Sequence, residues 1–201
     1  TPTELMESLG MFEYGGGGFH CVHMSDNDLD IFKRRGLWAV TNPGSNSKLA
    51  SGIAPLCRMA DMGIKLSVGT DGPASNNALD MFREMYLATV LQKLKLDDAA
   101  AMPADKVLEM AAVGGARTMG LDDCDTLEKG KKADLIVIDL DMPNMQPLNN
   151  IVKNIVYSGS KSNVKLTMCN GRILYENGEF ITLDKERVYA DANAAIKRMS
   201  E

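Results

Sequence analysis

Apolar residues along this chain fall into short runs separated by glycine, proline and small polar residues. Leu37-Trp38-Ala39-Val40 and Ile64 to Val68 are apolar on both faces, as strands buried in a covered parallel sheet are. Phe19-His20-Cys21-Val22-His23 reads as a further short buried strand. Leu29 to Arg35 predicts a helix capped by Ser25 and Asp26 and stopped at Gly36, a position suited to the left-handed conformation. Ile53 to Met62 predicts a helix with Pro55 in its first turn and Gly63 at its end. A long amphipathic helix is expected over about Leu79 to Leu96, with Leu79, Phe82, Tyr86, Val90 and Leu94 at helical spacing, and another over Val107 to Met119. Leu5 to Met11 predicts a short helix, ended by the run Gly15 to Gly18. That run lacks the preceding strand and following helix of a phosphate cradle, so it reads as a flexible turn.

Strands alternating with helices, with the strands apolar on both faces, predict an α/β fold built on a parallel sheet. After about Gly120 the style changes. Lys132 to Asp139 is rich in β-formers, and Val164 to Met168 and Arg172 to Tyr175 flank Asn170-Gly171, a strong hairpin signal. Leu183 to Met199 predicts a closing helix. The expected organisation is therefore an α/β unit over residues 1–120 and a small β unit with a terminal helix over 121–201. No short-period repeat is evident.

Composition narrows the functional classes. With 201 residues, 45% of them hydrophobic, the chain is long enough for one core or a core plus a small accessory unit. A net charge of −5 offers no electrostatic footing for nucleic acid. No apolar run approaches the roughly 18 residues that span a bilayer, so no membrane association and a cytoplasmic location are expected. Four separated cysteines with no CxxC pair read as buried reduced thiols, and fourteen methionines suit an adaptable core. The chain opens on Thr1-Pro2-Thr3 without an initiator methionine and enters a well-formed pattern at once, which is expected of a piece of a longer protein.

Three polar clusters fall where an apolar strand gives way to a loop: His20 with His23, Thr41 to Asn46, and Thr70 to Asn77. Ligands of parallel α/β folds meet that end of the strands. Asp71 stands just past a buried strand between Gly69-Thr70 and Gly72, where missing side-chain bulk lets a carboxylate approach a cation. Taken alone, the dipeptide reads first as an Asp-Gly turn. Ser75-Asn76-Asn77 serves either as a helix cap or as a network stiffening the loop. His20 and His23 are the only histidines, and on one strand they would face opposite sides. Zinc takes three or four protein ligands, and Asp71 with His20 supplies two at most, so spacing alone predicts an incomplete metal site.

At these clusters the chain resembles the amidohydrolase superfamily, in its branch of 5′-methylthioadenosine/S-adenosylhomocysteine deaminases and chlorohydrolase-like enzymes. The matching strings are His20-Cys21-Val22-His23, Asn42-Pro43-Gly44-Ser45-Asn46-Ser47-Lys48-Leu49-Ala50-Ser51-Gly52, Gly69-Thr70-Asp71-Gly72-Pro73-Ala74-Ser75-Asn76-Asn77 and Lys132 to Ile138, in family order over about residues 19 to 180. The resemblance implies the C-terminal part of a TIM-like (β/α)8 hydrolase barrel, with strands six to eight in residues 1–120, and part of a small β-sandwich in 121–201. It implies that Asp71 ligates one divalent metal, most often zinc, and shuttles a proton, and that His20 hydrogen-bonds the reacting centre. Asn46, Ser75 and Asn76 would bind substrate or support the loops, and the substrate would be a small nitrogen heterocycle.

Two departures bear on those implications. The family's His-x-His pair and its later His with a nearby Glu have no counterpart in this chain, which removes three expected ligands and an acid. Thr41 stands where many relatives carry a His before the Asn-Pro element, leaving substrate preference open. The chain is therefore expected to need the missing N-terminal part for activity, and to associate with it or to form a homo-oligomer through uncovered strand edges. The resemblance implies hydrolytic deamination of an adenosine-type or related nitrogen heterocycle; a chlorohydrolase or guanine-deaminase-like hydrolase, and a non-catalytic binding or assembly role, are the competing expectations.

Overall fold

The computed structural model describes residues 1–200. Three parallel strands form the first sheet: β1 (Gly17–Phe19), β2 (Trp38–Thr41) and β3 (Lys65–Val68), in the order β1-β2-β3. β1 pairs Gly17 with Trp38, and β2 pairs Trp38 with Lys65 and Thr41 with Val68. Crossovers carry the helices. α2 (Asp26–Arg35) starts on a capping box in which Ser25 accepts from the Asp28 N–H and Asp28 answers the Ser25 N–H. It ends at Gly36, left-handed at φ 61° as the stop signal requires. α4 (Leu56–Asp61) connects β2 to β3, with Pro55 just before its first turn and Gly63 left-handed after its end.

Two readings of this region change. The strand expected at Phe19 to His23 lies earlier, because the second half of the glycine run is itself strand. A Cβ on Gly17 would stand 2.2 Å from the Trp38 carbonyl oxygen, so only glycine lets β1 approach β2 this closely. Gly15 and Gly16, with φ 93° and 127°, make the turn. The helix near the N-terminus also lies earlier, as α1 (Pro2–Ser8), because Thr1 closes a capping box with Glu4 and Pro2 occupies the first turn.

A single core joins the sheet to its helices. Leu29, Ile31 and Phe32 of α2, Leu37 and Ala39 around β2, Leu66 and Val68 of β3, and Met59 of α4 are buried together. α6 (Met81–Leu96) completes the layer with a different face from the one expected. Phe82, Glu84, Met85, Ala88, Thr89 and Gln92 are buried, whereas Tyr86 and Leu94 are exposed. The face carries polar side chains because each finds a partner: Gln92 donates to the Ala54 carbonyl at 2.8 Å, and the Thr89 hydroxyl meets the Tyr157 hydroxyl at 3.2 Å. α7 (Ala104–Glu109) passes through a π-type turn (Met110–Gly114) into α8 (Gly115–Thr118), and that turn packs on β3.

The second sheet is an antiparallel meander of β4 (Leu135–Ile138), β5 (Val164–Cys169), β6 (Arg172–Glu176) and β7 (Glu179–Phe180). Asn170 and Gly171 are both left-handed, φ 48° and 77°, as the two-residue hairpin turn demands. Asn177-Gly178 repeats the device between β6 and β7. α9 (Ile151–Ser158) packs on α6 and α7, so Val156, with Ile138 and Val164, ties this part of the chain to the common core. The link from α8 is held at Asp125, whose enclosed carboxylate takes Arg117 at 2.7 Å and also Lys131. α10 (Lys185–Ser200) closes the described chain with no buried residue. All four cysteines are free, but only Cys21 is buried, which corrects the expectation for the other three. Among the described residues no helix is long and apolar enough to cross a membrane.

Two adjacent glycines test the packing of the π-type turn. A Cβ on Gly114 would lie 2.4 Å from the Leu66 carbonyl oxygen, whereas one on Gly115 meets nothing within 4 Å. Gly114→Ala is expected to destabilise the fold by about 1–3 kcal/mol through overpacking. Gly115→Ala is expected to stabilise it by up to about 1 kcal/mol through helix propensity. Urea unfolding of the two variants checks both signs.

Candidate active site

Because β1, β2 and β3 are parallel, their C-terminal ends open on one side of the sheet. Thr41 pairs with Val68, so the loops that begin at Asn42 and Gly69 leave at the same level. The next rung continues the ladder outside the strands, with the Gly69 N–H donating to the Thr41 carbonyl at 2.9 Å. A Cβ on Gly69 would sit 2.9 Å from the Asn42 amide nitrogen, so the glycine lets that side chain lie flat against the next loop. β2 leads through Asn42 straight into α3 (Pro43–Lys48), a short helix hidden from sequence reasoning by its Pro-Gly content. β3 leads through Asp71 into α5 (Pro73–Asn76).

Asp71 itself is left-handed, φ 61°, a conformation that aspartate tolerates better than most residues. This turns its carboxylate toward α3. Oδ2 accepts from the Ser45 hydroxyl at 2.6 Å and from the Ser75 hydroxyl at 2.7 Å. Those two bonds, then the Gly72 N–H and the nearby His20, hold the carboxyl down at a pKa of about 2. The side chain remains a third exposed, so the anion faces outward from a ring of donors.

His20 arrives from the other flank. Its N–H donates to the Val40 carbonyl at 2.8 Å, and at 3.3 Å to the Asn42 amide oxygen. The chain then leaves the strand abruptly, with His20 and Cys21 left-handed at φ 65° and 50° and the Cys21 N–H closed onto the Phe19 carbonyl. Two consecutive non-glycine residues in this region mark a backbone held by its surroundings. The turn brings His20 Nδ1 to 2.8 Å from Asn46 Oδ1 and Nε2 to 3.9 Å from Asp71 Oδ2. An amide oxygen only accepts, so with Asn46 Oδ1 facing the ring Nδ1 donates to it, and Nε2 is the nitrogen turned toward Asp71. Burial pushes the Cys21 thiol up to about 11, which leaves it protonated and unreactive at neutral pH.

Of the residues singled out in the sequence, Asp71 with Ser75 and His20 with Asn46 thus form two hydrogen-bonded pairs that meet where Nε2 stands 3.9 Å from Oδ2, and Asn76 stands behind them. His23 takes no part in these bonds and lines the neighbouring cavity of about 640 Å³, together with Phe12, Met24 and Leu49. Ser45 and Glu84 are the residues that sequence reasoning missed. Ser45 lay inside a matching string with no signal of its own. Glu84 carried no signal in the sequence, because its burial depends on partners from other elements. Burial raises its pKa, while Asn76 and the Gly44 N–H hydrogen-bond it.

Asp71 and the Nε2 of His20 are the groups that could face a cation, as one anionic oxygen donor and one imidazole. Among the described residues no group of three His, Cys, Asp or Glu side chains could hold a metal ion. The arrangement therefore fits a share of a metal site, with the anion prepared and further ligands required from elsewhere.

The depressed pKa of Asp71 has a defined sign. Its folded value of about 2 lies below the ordinary 3.8, so the stabilisation is present above pH 3.8 and disappears as pH falls toward 2. Ser45→Ala and Ser75→Ala should each raise the Asp71 pKa, with Ser45→Ala the larger. Carboxyl carbon NMR titration measures both, and an unmoved midpoint in both variants would contradict the assigned cause.

Known proteins resemble this chain in sequence and in fold. Residues 1–174 match the amidohydrolase family model. The chain is 43% identical to a 5-methylthioadenosine/S-adenosylhomocysteine deaminase of Caldanaerobacter subterraneus, over 99% of this chain and 46% of that protein. It is 40% identical to a 5′-deoxyadenosine deaminase of Methanosarcina acetivorans, over 97% of this chain and 45% of that one. Among solved structures, an adenosine deaminase from Xanthomonas campestris with bound zinc superposes with a TM-score of 0.95 at 33% identity, covering all of this chain and 46% of its own. A zinc complex of an atrazine chlorohydrolase from Arthrobacter aurescens superposes at 0.81 with 26% identity, over 88% of this chain and 39% of its own. The chain spans about half the length of the curated relatives it matches. Its α/β fold is that of part of a TIM-like barrel, and the chain belongs to the amidohydrolase family.

Proposed function

We propose that this chain is the C-terminal part of a metal-dependent hydrolase that removes an amino group from an adenosine-type or related nitrogen heterocycle. The observation that carries the reading is the Asp71 carboxylate, fixed by Ser45 and Ser75 at a strand end with His20 Nε2 at 3.9 Å. The two curated deaminases support the substrate class. Residues 1–120 would form the barrel part and 121–201 the sandwich part, with the remaining ligands coming from the rest of the protein.

In this reading one divalent cation, zinc as in the solved relatives, supplies Lewis acidity that brings the ionisation of water toward neutral pH. Asp71 would hold it, and a pKa of about 2 means that no proton competes for the carboxylate at neutral pH. Asp71 also takes the proton released by the attacking water and passes it to the leaving nitrogen. For Oδ2 to accept that proton, the Ser45 or Ser75 hydroxyl turns away, so these serines set how basic the carboxylate is. His20, oriented by Asn46, hydrogen-bonds the attacked centre through Nε2. Asn46, Ser75 and Asn76 keep the two loops in register beneath the substrate.

A second reading has support of its own. The atrazine chlorohydrolase shares the fold, and the same attack of water at a ring carbon expels chloride instead of an amine. The full gene product carrying this chain is expected to release ammonia from methylthioadenosine or S-adenosylhomocysteine in preference to guanine. Chloride release from a chlorotriazine without ammonia release from any of the three would favour the second reading. Asp71→Ala should lower turnover by at least about 10²-fold, and undiminished turnover would rule out its role.

We further propose a cytoplasmic protein that assembles with further copies or with the other part of the barrel. β1 and β3 each pair on one side only, and Phe19 is 72% exposed on the β1 edge. Light scattering of this chain should show a mass above 21.8 kDa. A monodisperse monomer would argue against the assembly.

A further inference from the structure

Each serine that grips Asp71 has a neighbour held by a single buried group. Ser45 follows Gly44, whose N–H donates to Glu84 Oε2 at 2.7 Å. Ser75 precedes Asn76, whose amide nitrogen donates to Glu84 Oε1 at 2.7 Å and to the Thr70 carbonyl at 2.7 Å. Glu84 is fully buried on α6, and Asn76 is buried beside it. The fit is close on the other side as well. A Cβ on Gly44 would lie 2.3 Å from Glu84 Oε1 and 2.8 Å from the Asn76 amide nitrogen.

Glu84 makes no salt bridge among the described residues, and the cost of burying its carboxylate is offset by the Asn76 and Gly44 hydrogen bonds and by Arg83 nearby. The hydrogen bonds say what the carboxylate alone can do. Both of its oxygens accept, one from each loop. A glutamine of the same shape has one acceptor and must turn its NH2 toward a donor, either the Gly44 N–H or the Asn76 amide. Asn76 cannot answer by flipping, because its nitrogen also serves the Thr70 carbonyl and its oxygen accepts from the Ala78 N–H at 3.2 Å.

We infer that Glu84 is a positioning residue for the proposed deaminase site: it ties the Gly44 backbone N–H to the Asn76 side-chain amide and so holds the two loops in one register, with Ser45 and Ser75 converging on the same oxygen of Asp71. It touches no reacting atom. The inference rests on the hydrolase reading for its effect on turnover, but its geometry is testable without it.

Glu84→Gln and Gly44→Ala attack the clamp from opposite sides. In this chain, amide hydrogen exchange of residues 43–48 and 70–77 should quicken by about tenfold or more in both variants. The amides of α2 and β2 should keep their protection, and the melting temperature should fall by no more than about 10 °C, as about 1–3 kcal/mol of local overpacking allows. In the full gene product, Glu84→Gln should lower kcat by about 10²-fold, as expected for a misplaced catalytic group, with KM changed less than about threefold. The double variant should be no worse than the worse single one, because both remove the same clamp. Unchanged local exchange in both variants overturns the inference, and so does a uniform loss of protection with a collapsed melting temperature in both. Local loosening with no deaminase activity in the parent gene product would refute the functional reading while leaving the clamp established.

Discussion

The parallel register of β2 against β3 sets the positions on which the site depends. Thr41 opposite Val68 brings two strands to an end at the same height, and the Gly69 N–H extends the ladder one step further. Two loops then start side by side with their backbone polar groups needing partners. Asn42 lies against Gly69, Ser45 reaches Asp71, and Lys48 spans from α3 to the Ala74 carbonyl and to Asn77. A one-residue slip of β3 would carry Asp71 and Ser75 together out of reach of Ser45. The site is thus an extension of the sheet by side chains, and its precision is inherited from strand pairing.

The chain made parts of this plan legible. Strands β2 and β3 were readable because they are apolar on both faces, and α2 because Ser25 and Gly36 mark its ends in the side-chain chemistry of caps. The Asn170-Gly171 hairpin was readable since few other residue pairs accept two left-handed conformations in succession. Asp71 and His20 were legible as site residues through their placement at strand ends and through long shared strings. β1 was misplaced because glycine carries no pattern. Its strand character comes from the Trp38 carbonyl pressing on Gly17, a tertiary fact. The buried face of α6 was misjudged for a related reason. Glu84, Thr89 and Gln92 look like solvent-facing residues until their partners on other elements are known.

Asp71 and His20 are prepared to different degrees. The carboxylate is held by two hydroxyls and a backbone N–H, and its charge is secured before any ligand arrives. The imidazole is oriented through Asn46 alone and stays 43% exposed. Such an arrangement supplies a fixed anion and a more adaptable hydrogen-bonding partner, a useful division where one group must hold a cation and the other must follow a changing substrate. The cavity in front of them is lined also by Gly17, Gly18 and Phe19 of β1, the strand at a free edge of the sheet.

The two carboxylates one loop apart respond oppositely to acid. Asp71 keeps its charge down to about pH 2, while Glu84, enclosed and flanked by Arg83 and Asp80 on its own helix, takes up a proton more readily than an ordinary glutamate. Protonation relieves the burial of the Glu84 charge, so by linkage that group's contribution to the folded state grows as pH falls through its raised pKa to the ordinary 4.5, and is lost again as pH rises. It also turns one of the two acceptor oxygens into a hydroxyl, which Gly44 or Asn76 can no longer use in the same way. Protonation of Glu84 would therefore relieve its own buried charge and slacken the frame behind the outer carboxylate together, a trade-off between endurance and order lodged in one buried side chain.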